Sequence, residues 1–251
     1  MSSKYLPNFT AGITFFIAVA ATNLFHQGNW QRVYAAKNEK VLKRSLISSF
    51  LIIIPIVFFM GFSGLVSKSI NNNVIPDLAF FELLLKNQFH TISLVIIILA
   101  ISLTVSSIDT LINAISSLII VDGVKIVKVK NYSLLSKQII ILLCLVALLI
   151  ASKGLSILYL FLLADLFCCA AVLTIFYGFY DKNFSNKNAY ISILIGLCAG
   201  FLFFPSQDFS KSILIGIVIP IDTVPSFVSQ SLLFISFFVA TFTPITTWKL
   251  K

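Results

Sequence analysis

The stretch SLISSFLIIIPIVFFMGFSGLV, residues 45–66, contains no charged residue and is long enough to cross the hydrocarbon core of a bilayer as a helix. Pro55 lies in its middle, where it predicts a kink. The whole chain has the same character, because 59% of its 251 residues are hydrophobic and only 11% are charged. Soluble domains carry roughly 25% charged residues. The sequence therefore predicts an all-α integral membrane protein.

Six further stretches have the length and composition of membrane-crossing helices. They lie between Lys4 and Arg32 and at residues 90–121, 134–152, 155–180, 189–205 and 226–248. A shorter apolar piece, residues 211–225, is predicted to be interfacial or re-entrant. We therefore predict about seven transmembrane helices, in contact with the lipid bilayer, in a single membrane domain that covers residues 1–251.

Lysine and arginine residues are concentrated in alternate loops between these helices. With the N-terminus outside, 13 of the 18 fall on the cytoplasmic side and 5 fall outside. This bias predicts a multi-pass protein of the cell membrane (plasma or inner) with an outer N-terminus and a cytoplasmic C-terminus. It also accounts for the net charge of +9. No basic stripe with interleaved aromatic residues occurs, so we expect no nucleic-acid partner.

The third predicted helix carries a polar stripe within ISLTVSSIDTLINAISSLIIVDGVK, residues 101–125. Its members recur at spacings of four, three, four and three, which places them on one helix face. They are Ser102, Ser106, Asp109, Asn113 and Ser116, with Ser107 beside Ser106. Such an oxygen-rich face suits a small hard cation. Alternatively, the serines allow close helix packing and hydrogen bonds between helices.

Two other polar positions stand out in apolar surroundings. Asp165 is predicted to contact substrate, to pair with a group on another helix, or to stay protonated as a packing residue. Near the end of the first helix, His26 and Gln27 belong to a polar run beside Gly28 that predicts a helix opening toward a cavity. The alternative is an ordinary interfacial helix end, with Trp30 in the aromatic belt.

Signatures of enzymes and of resident cofactors do not occur in the sequence. There is no P-loop, no HExxH and no GxSxG. The four cysteines lie in apolar runs without CxxC spacing, which predicts free thiols buried as small hydrophobes. We therefore expect no enzymatic activity, no cofactor and no bound metal other than the small cation considered for the polar stripe.

Three stretches together resemble the sodium:solute symporter family, which includes sodium/glucose, proline and urea transporters. HQGNWQRVYAAKNEK, residues 26–40, resembles the loop after the family's sixth core helix. SSIDTLINAISSLIIVD, residues 106–122, is similar to the eighth, and LYLFLLADLFCCAA, residues 158–171, to the tenth. Order and spacing agree over about residues 9–189. The resemblance implies the leucine-transporter fold, with residues 1–180 as the second inverted five-helix repeat and residues 181–251 as two peripheral helices.

The resemblance also implies roles for individual residues. Ser106 and Ser107 match the family's pair of sodium-binding hydroxyls, and Leu103 matches a backbone-carbonyl ligand one turn earlier. The further ligands come from the family's first core helix, which belongs to the first repeat and has no counterpart in this chain. His26 falls near a substrate-binding Asn of sugar transporters. The sequence of the loop at residues 26–40 is closer to that of urea-like members. Gln27, Asp109, Asn113 and Asp165 complete the predicted substrate or gating residues.

The sequence therefore predicts the C-terminal half of a sodium-coupled secondary transporter for a small polar, urea-like solute, working by alternating access. Asp109 and Asp165 leave proton coupling open. The alternatives are a truncated or decayed membrane protein that does not transport, and one chain of a split transporter whose first repeat is a separate polypeptide.

Overall fold

The computed structural model describes residues 6–85, 89–123, 128, 130–181, 183–209, 211–212, 214, 228 and 231–248. Within this part of the chain the regular elements are helices, and one isolated bridge joins Pro205 to Ser212. The helices are α1 (Leu6–Phe25), α2 (Gln27–Tyr34), α3 (Glu39–Ile70), α4 (Ala79–Leu85), α5 (His90–Val121), α6 (Tyr132–Ala151), α7 (Ile157–Tyr180), α8 (Asn186–Phe203) and α9 (Leu232–Thr247), with a short 3₁₀ helix at Pro76–Leu78.

Among the described residues, six helices are long and apolar enough to cross a membrane: α1, α3, α5, α6, α7 and α8. They coincide with six of the predicted spans, which confirms the all-helical, membrane-compatible class. The seventh predicted span is the apolar helix α9, whose 16 residues extend only about 24 Å at the usual rise. Helix α3 continues through Pro55. The piece predicted to be re-entrant, residues 211–225, lies almost wholly outside the described residues.

Short polar side chains define where several of these helices begin. Asn38 caps α3 by accepting a hydrogen bond from the Val41 amide at 2.9 Å. Asn131 caps α6 in the same way, with the Leu134 amide at 3.1 Å. Each cap satisfies one backbone N–H that the first helical turn leaves without an intrahelical partner.

The chain divides into two compact units, and the first comprises Met1–His26 and Leu155–Lys251. Within it α7 packs against α1, α8 and α9, so α7 is the most buried of the spanning helices. The core is made of side chains that three helices and the loop after α8 bring together. It includes Ala18, Ala21, Leu162, Leu166, Cys169, Ala170, Phe204, Phe237 and Ala240.

Helices α8 and α9 approach closely along a line of small residues. A Cβ atom built on Gly196 would lie 2.8 Å from the Ala240 carbonyl oxygen. The Ser192 and Thr247 hydroxyls are 2.6 Å apart, and Ser236 Oγ donates to the Gly200 carbonyl at 2.8 Å. Small residues with interhelical hydrogen bonds are how apolar helices associate where water provides no driving force.

The second unit is Gln27–Gly154. In it α3 packs on α4, and α5 packs on α6 and α2. Most apolar side chains of α3, α5 and α6 stay exposed: none of the most apolar 18-residue stretch of α3 is buried, against 44% for α7. Exposed apolar surface on this scale marks a membrane or protein contact.

The packing of the helices does not follow the predicted repeat boundaries. The structure groups α1 and α7 with α8 and α9, whereas the resemblance places α1 and α7 in one repeat and the last two helices outside it. Because helices of different repeats can pack together, the division at residue 180 stays a prediction. The predicted burial of all four thiols is wrong for Cys144 and Cys198, which lie on exposed helix faces.

Candidate functional site

The first helix is interrupted where its sequence turns polar. Helix α1 ends at Phe25 and α2 begins at Gln27, so His26 belongs to neither. The His26 amide points to the Asn23 carbonyl at 3.4 Å, three residues back instead of four. Its Nδ1 atom is buried and has no hydrogen-bond partner among the described residues. The predicted contact of His26 and Gln27 with a cavity stays a prediction.

Asp165 is a buried carboxylate held by a side chain of another helix. Its exposed fraction is 6%, and Oδ1 accepts a hydrogen bond from Thr22 Oγ1 on α1 at 2.5 Å. Of the three interpretations of Asp165, pairing with a neighbouring helix is the one that the structure contains. The thiols of Cys168 and Cys169 are its ionisable neighbours on α7.

Thr22 is a site residue that the sequence interpretation missed. It lies four residues before His26, and residues four apart lie on the same helix face. Thr22, whose hydroxyl donates to Asp165, therefore lies about one turn before His26 at the helix break. The signal was present in the sequence, since Thr22 and Asn23 open the polar run within an otherwise apolar helix.

The stripe of α5 lies in the second unit and makes mainly local hydrogen bonds. Ser107 Oγ donates to the Leu103 carbonyl at 2.9 Å, so two of the predicted sodium ligands are bonded to each other. Asn113 Nδ2 reaches Asp109 Oδ2 at 3.3 Å. Ser106, Asp109 and Asn113 are exposed, and Leu103 is 70% exposed.

These atoms match a hard cation in type but supply only part of a shell. The Leu103 carbonyl and the Ser106 and Ser107 hydroxyls are three neutral oxygens within about one turn. Hard cations such as calcium take about six oxygen ligands or more. The residues described include no group of three or more His, Cys, Asp or Glu side chains that could hold a metal ion. The three oxygens of α5 are therefore too few to form a complete cation shell on their own.

The C-terminal end of the same stripe packs against neighbouring helices. Ser116 Oγ lies 2.9 Å from Ser136 Oγ on α6. Gln31 Nε2 on α2 donates to Ser117 Oγ at 2.7 Å. At this end the helix-packing interpretation of the serines is the one that the structure contains. The stripe thus divides into an exposed part, up to Asn113, and a part that joins α5 to α6 and α2.

An apolar cavity of about 240 Å³ lies within the first unit. Its lining comes from α1, α7, α9 and the loop after α8 and contains no polar side chain among the described residues: Ala11, Phe15, Leu158, Leu162, Pro205, Phe209, Leu232 and Leu233. A polar solute would lose its hydrogen bonds to water there without replacement. This cavity is therefore unsuited to the predicted substrate.

The predicted residues are divided between the two units. His26 and Asp165 belong to the first, while Gln27, Leu103, Ser106, Ser107, Asp109 and Asn113 belong to the second. No protein-family model, curated protein or solved structure matches this chain. The resemblance to sodium:solute symporters therefore stays a prediction.

Proposed function

We propose that this chain forms half of a cation-coupled secondary transporter for a small polar solute, working by alternating access. One observation carries the proposal: α1 is broken at His26, about one turn from Thr22, which holds the buried carboxylate of Asp165. Secondary transporters use such breaks to present backbone and side-chain groups to substrate and ion.

The proposed roles follow the chemistry of the groups. His26 and Gln27 offer an imidazole and an amide, which exchange hydrogen bonds with a urea-like solute. Asp109, Asn113 and Asp165 are proposed substrate or gating residues. Asp109 and Asp165 are also the candidate proton carriers, because an intramembrane carboxylate is costly unless it is paired or protonated.

Sodium is the proposed coupling ion, bound on α5 by Ser106, Ser107 and the Leu103 carbonyl. The proposal is supported by the exposure of these three residues on one helix and by the family resemblance. In that family the remaining ligands come from the first core helix. Sodium would bias the transport equilibrium by binding one of its conformations more tightly than the other.

The test is uptake of radiolabelled urea into liposomes that contain the chain purified from its native membrane together with any polypeptide that accompanies it. Uptake is compared under an inward sodium gradient, an inward proton gradient and no gradient. We expect sodium-driven uptake that His26→Ala and Asp165→Asn reduce. His90→Ala, a change at the exposed start of α5, is the matched control and should leave uptake unchanged. Equal uptake under all three conditions contradicts ion coupling.

A membrane protein that does not transport is the second candidate. It is favoured by the local hydrogen bonds of α5, where Thr104, Ser107 and Thr110 donate to carbonyls of their own helix. Hydroxyls satisfied in this way need no ligand. Gradient-driven uptake by the chain alone rejects this candidate. Co-purification with a separate polypeptide of five or six helices identifies the split transporter instead.

A further inference from the structure

The start of α3 places a basic cluster directly before its apolar run. Lys37, Lys40, Lys43 and Arg44 lie within eight residues, with Glu39 as the one acidic residue among them. All four cations are exposed. Within the described part of the chain none of them has a hydrogen-bond or ion-pair partner. Four unpaired cations at the boundary of a spanning helix are an electrostatic match for anionic headgroups.

Two of these cations face an open cavity of about 580 Å³. Its described lining belongs to α3 and the residue before it: Asn38, Lys40, Val41, Arg44, Ser45 and Ser48. Val41, Arg44, Ser45 and Ser48 follow each other at helical spacing, so they form one face. Lys43 is adjacent in sequence to Arg44 but does not line the cavity. Lys40 and Arg44 therefore differ from Lys43 in position, although all three carry the same charge.

Along this face, basic, hydroxyl and apolar side chains follow each other in the same order as the phosphate, the ester and the acyl chain of a phospholipid. Lys40 and Arg44 come first and match a phosphate group in charge. The Ser48 hydroxyl follows, and no described residue accepts its hydrogen bond. One turn further the face reaches Ile52, which is 62% exposed. A soluble phosphate compound would use only the first part, whereas a glycerophospholipid would use all three.

The opposite end of α3 lacks these features. Its one basic residue, Lys68, is already engaged, because its ammonium group donates to the Asn72 carbonyl at 2.7 Å. Charge along the helix is therefore strongly asymmetric, and the unpaired cations all lie at one boundary.

We propose that this face of α3 binds an anionic glycerophospholipid of the leaflet in which the helix begins. Arg44 and Lys40 contact the phosphate, Ser48 donates to an ester carbonyl, and one acyl chain lies along the face toward Ile52. A guanidinium presents two parallel N–H groups to phosphate oxygens, which makes Arg44 the main contact. The site is independent of the proposed transport.

The test measures lipid binding to the full chain in detergent by native mass spectrometry, with phosphatidylglycerol and phosphatidylcholine titrated in parallel. A surface cation contributes about fivefold to anionic-lipid binding by diffuse attraction, so the double variant Lys40→Gln/Arg44→Gln should lose more than the roughly 25-fold for phosphatidylglycerol that two such charges account for. Phosphatidylcholine binding should be unchanged. Lys43→Gln removes one charge outside the cavity, so for phosphatidylglycerol it should lose no more than the fivefold of a surface cation, less than Arg44→Gln loses, and phosphatidylcholine binding should not change. An equal loss in Lys43→Gln and Arg44→Gln overturns the site in favour of diffuse attraction.

Two further variants keep the proposal testable if the double variant fails to fold. Arg44→Lys keeps the charge and loses the paired donors, so it should bind phosphatidylglycerol more weakly than the native chain. Ser48→Phe keeps every charge, removes the hydroxyl that donates to the ester carbonyl and narrows the path toward Ile52, so it should also weaken binding. Native affinity in both variants overturns the proposal. Competition by free glycerol phosphate as effective as that of phosphatidylglycerol overturns the lipid as ligand.

Discussion

Thr22 on α1 donates its hydroxyl hydrogen to the buried carboxylate of Asp165 on α7, across 143 positions of sequence. The contact joins the broken helix to the most buried spanning helix of its unit. It also gives a buried acid on a long apolar helix the polar partner that its apolar neighbours cannot supply.

Thr22→Val tests how much this contact stabilises the first unit. The valine has a similar shape but leaves Asp165 without its hydroxyl donor, which typically costs about 1–3 kcal/mol for a buried group. We expect a lower midpoint when the purified chain is unfolded by heat in detergent.

Thr14→Val is the matched control for that measurement. Thr14 is also buried on α1, but its hydroxyl donates to the Thr10 carbonyl of its own helix at 2.8 Å. Its loss leaves no group on another helix unpaired. An equal decrease in both variants would mean that any buried threonine on α1 contributes as much, and that the Asp165 contact is not special.

The contact between α8 and α9 predicts opposite signs for two glycine substitutions. Alanine is the better helix former by roughly 0.5–1 kcal/mol, so Gly61→Ala should stabilise α3 slightly, since nothing lies within 4 Å of its new methyl group. Gly196→Ala should destabilise the first unit, because its methyl would lie 2.8 Å from both the Ala240 oxygen and Pro244 Cγ. Thermal unfolding of both variants provides the comparison. A higher midpoint for Gly196→Ala would show that the two helices separate easily.

The spanning helices were predictable because length and apolar composition are properties of a continuous segment. The α8–α9 contact was not, since Gly196 and Gly200 look the same in sequence as Gly61 and Gly64, which meet nothing. Only the position of a second helix distinguishes them. The polar run that contains Thr22 was visible in the sequence, but its pairing with Asp165 depends in the same way on the position of a second helix.

The break in the first helix could be predicted only in part from the sequence. The polar run around Gly28 predicted an opening, and the structure interrupts the helix at His26 while Gly28 is buried within α2. The polar residues indicated the region of the helix break, but the backbone hydrogen bonds determine that it lies at His26. Cys144 and Cys198 show the limit of composition, because an apolar run does not tell which helix face is turned outward.

The hydroxyl pair between α5 and α6 predicts a coupling that a double-mutant cycle can isolate. Ser136 is almost fully buried and shares its hydrogen bond with Ser116. Each single change to alanine should destabilise the chain, whereas the double variant should lose less than the sum. Interhelical hydrogen bonds in membrane proteins average about 0.6 kcal/mol, which is the expected coupling energy. Strictly additive losses in detergent unfolding would contradict a direct hydrogen bond.

The sodium ligands proposed on α5 predict a stability change that depends on the ion and not only on the protein. A ligand that binds the folded chain raises its unfolding midpoint, so sodium chloride should stabilise the native chain relative to choline chloride at equal concentration. Ser106 makes no hydrogen bond through its hydroxyl within the described residues. Ser106→Ala should therefore leave the midpoint in choline unchanged and remove the increase in sodium.

Thr104→Ala, which removes another hydroxyl of α5, is the control and should keep that increase. The Thr104 hydroxyl donates to the Ala100 carbonyl and is not a proposed ligand. If sodium raises the midpoint of Ser106→Ala as much as that of the native chain, Ser106 is not a ligand, and the proposed site on α5 must be abandoned even if the chain transports.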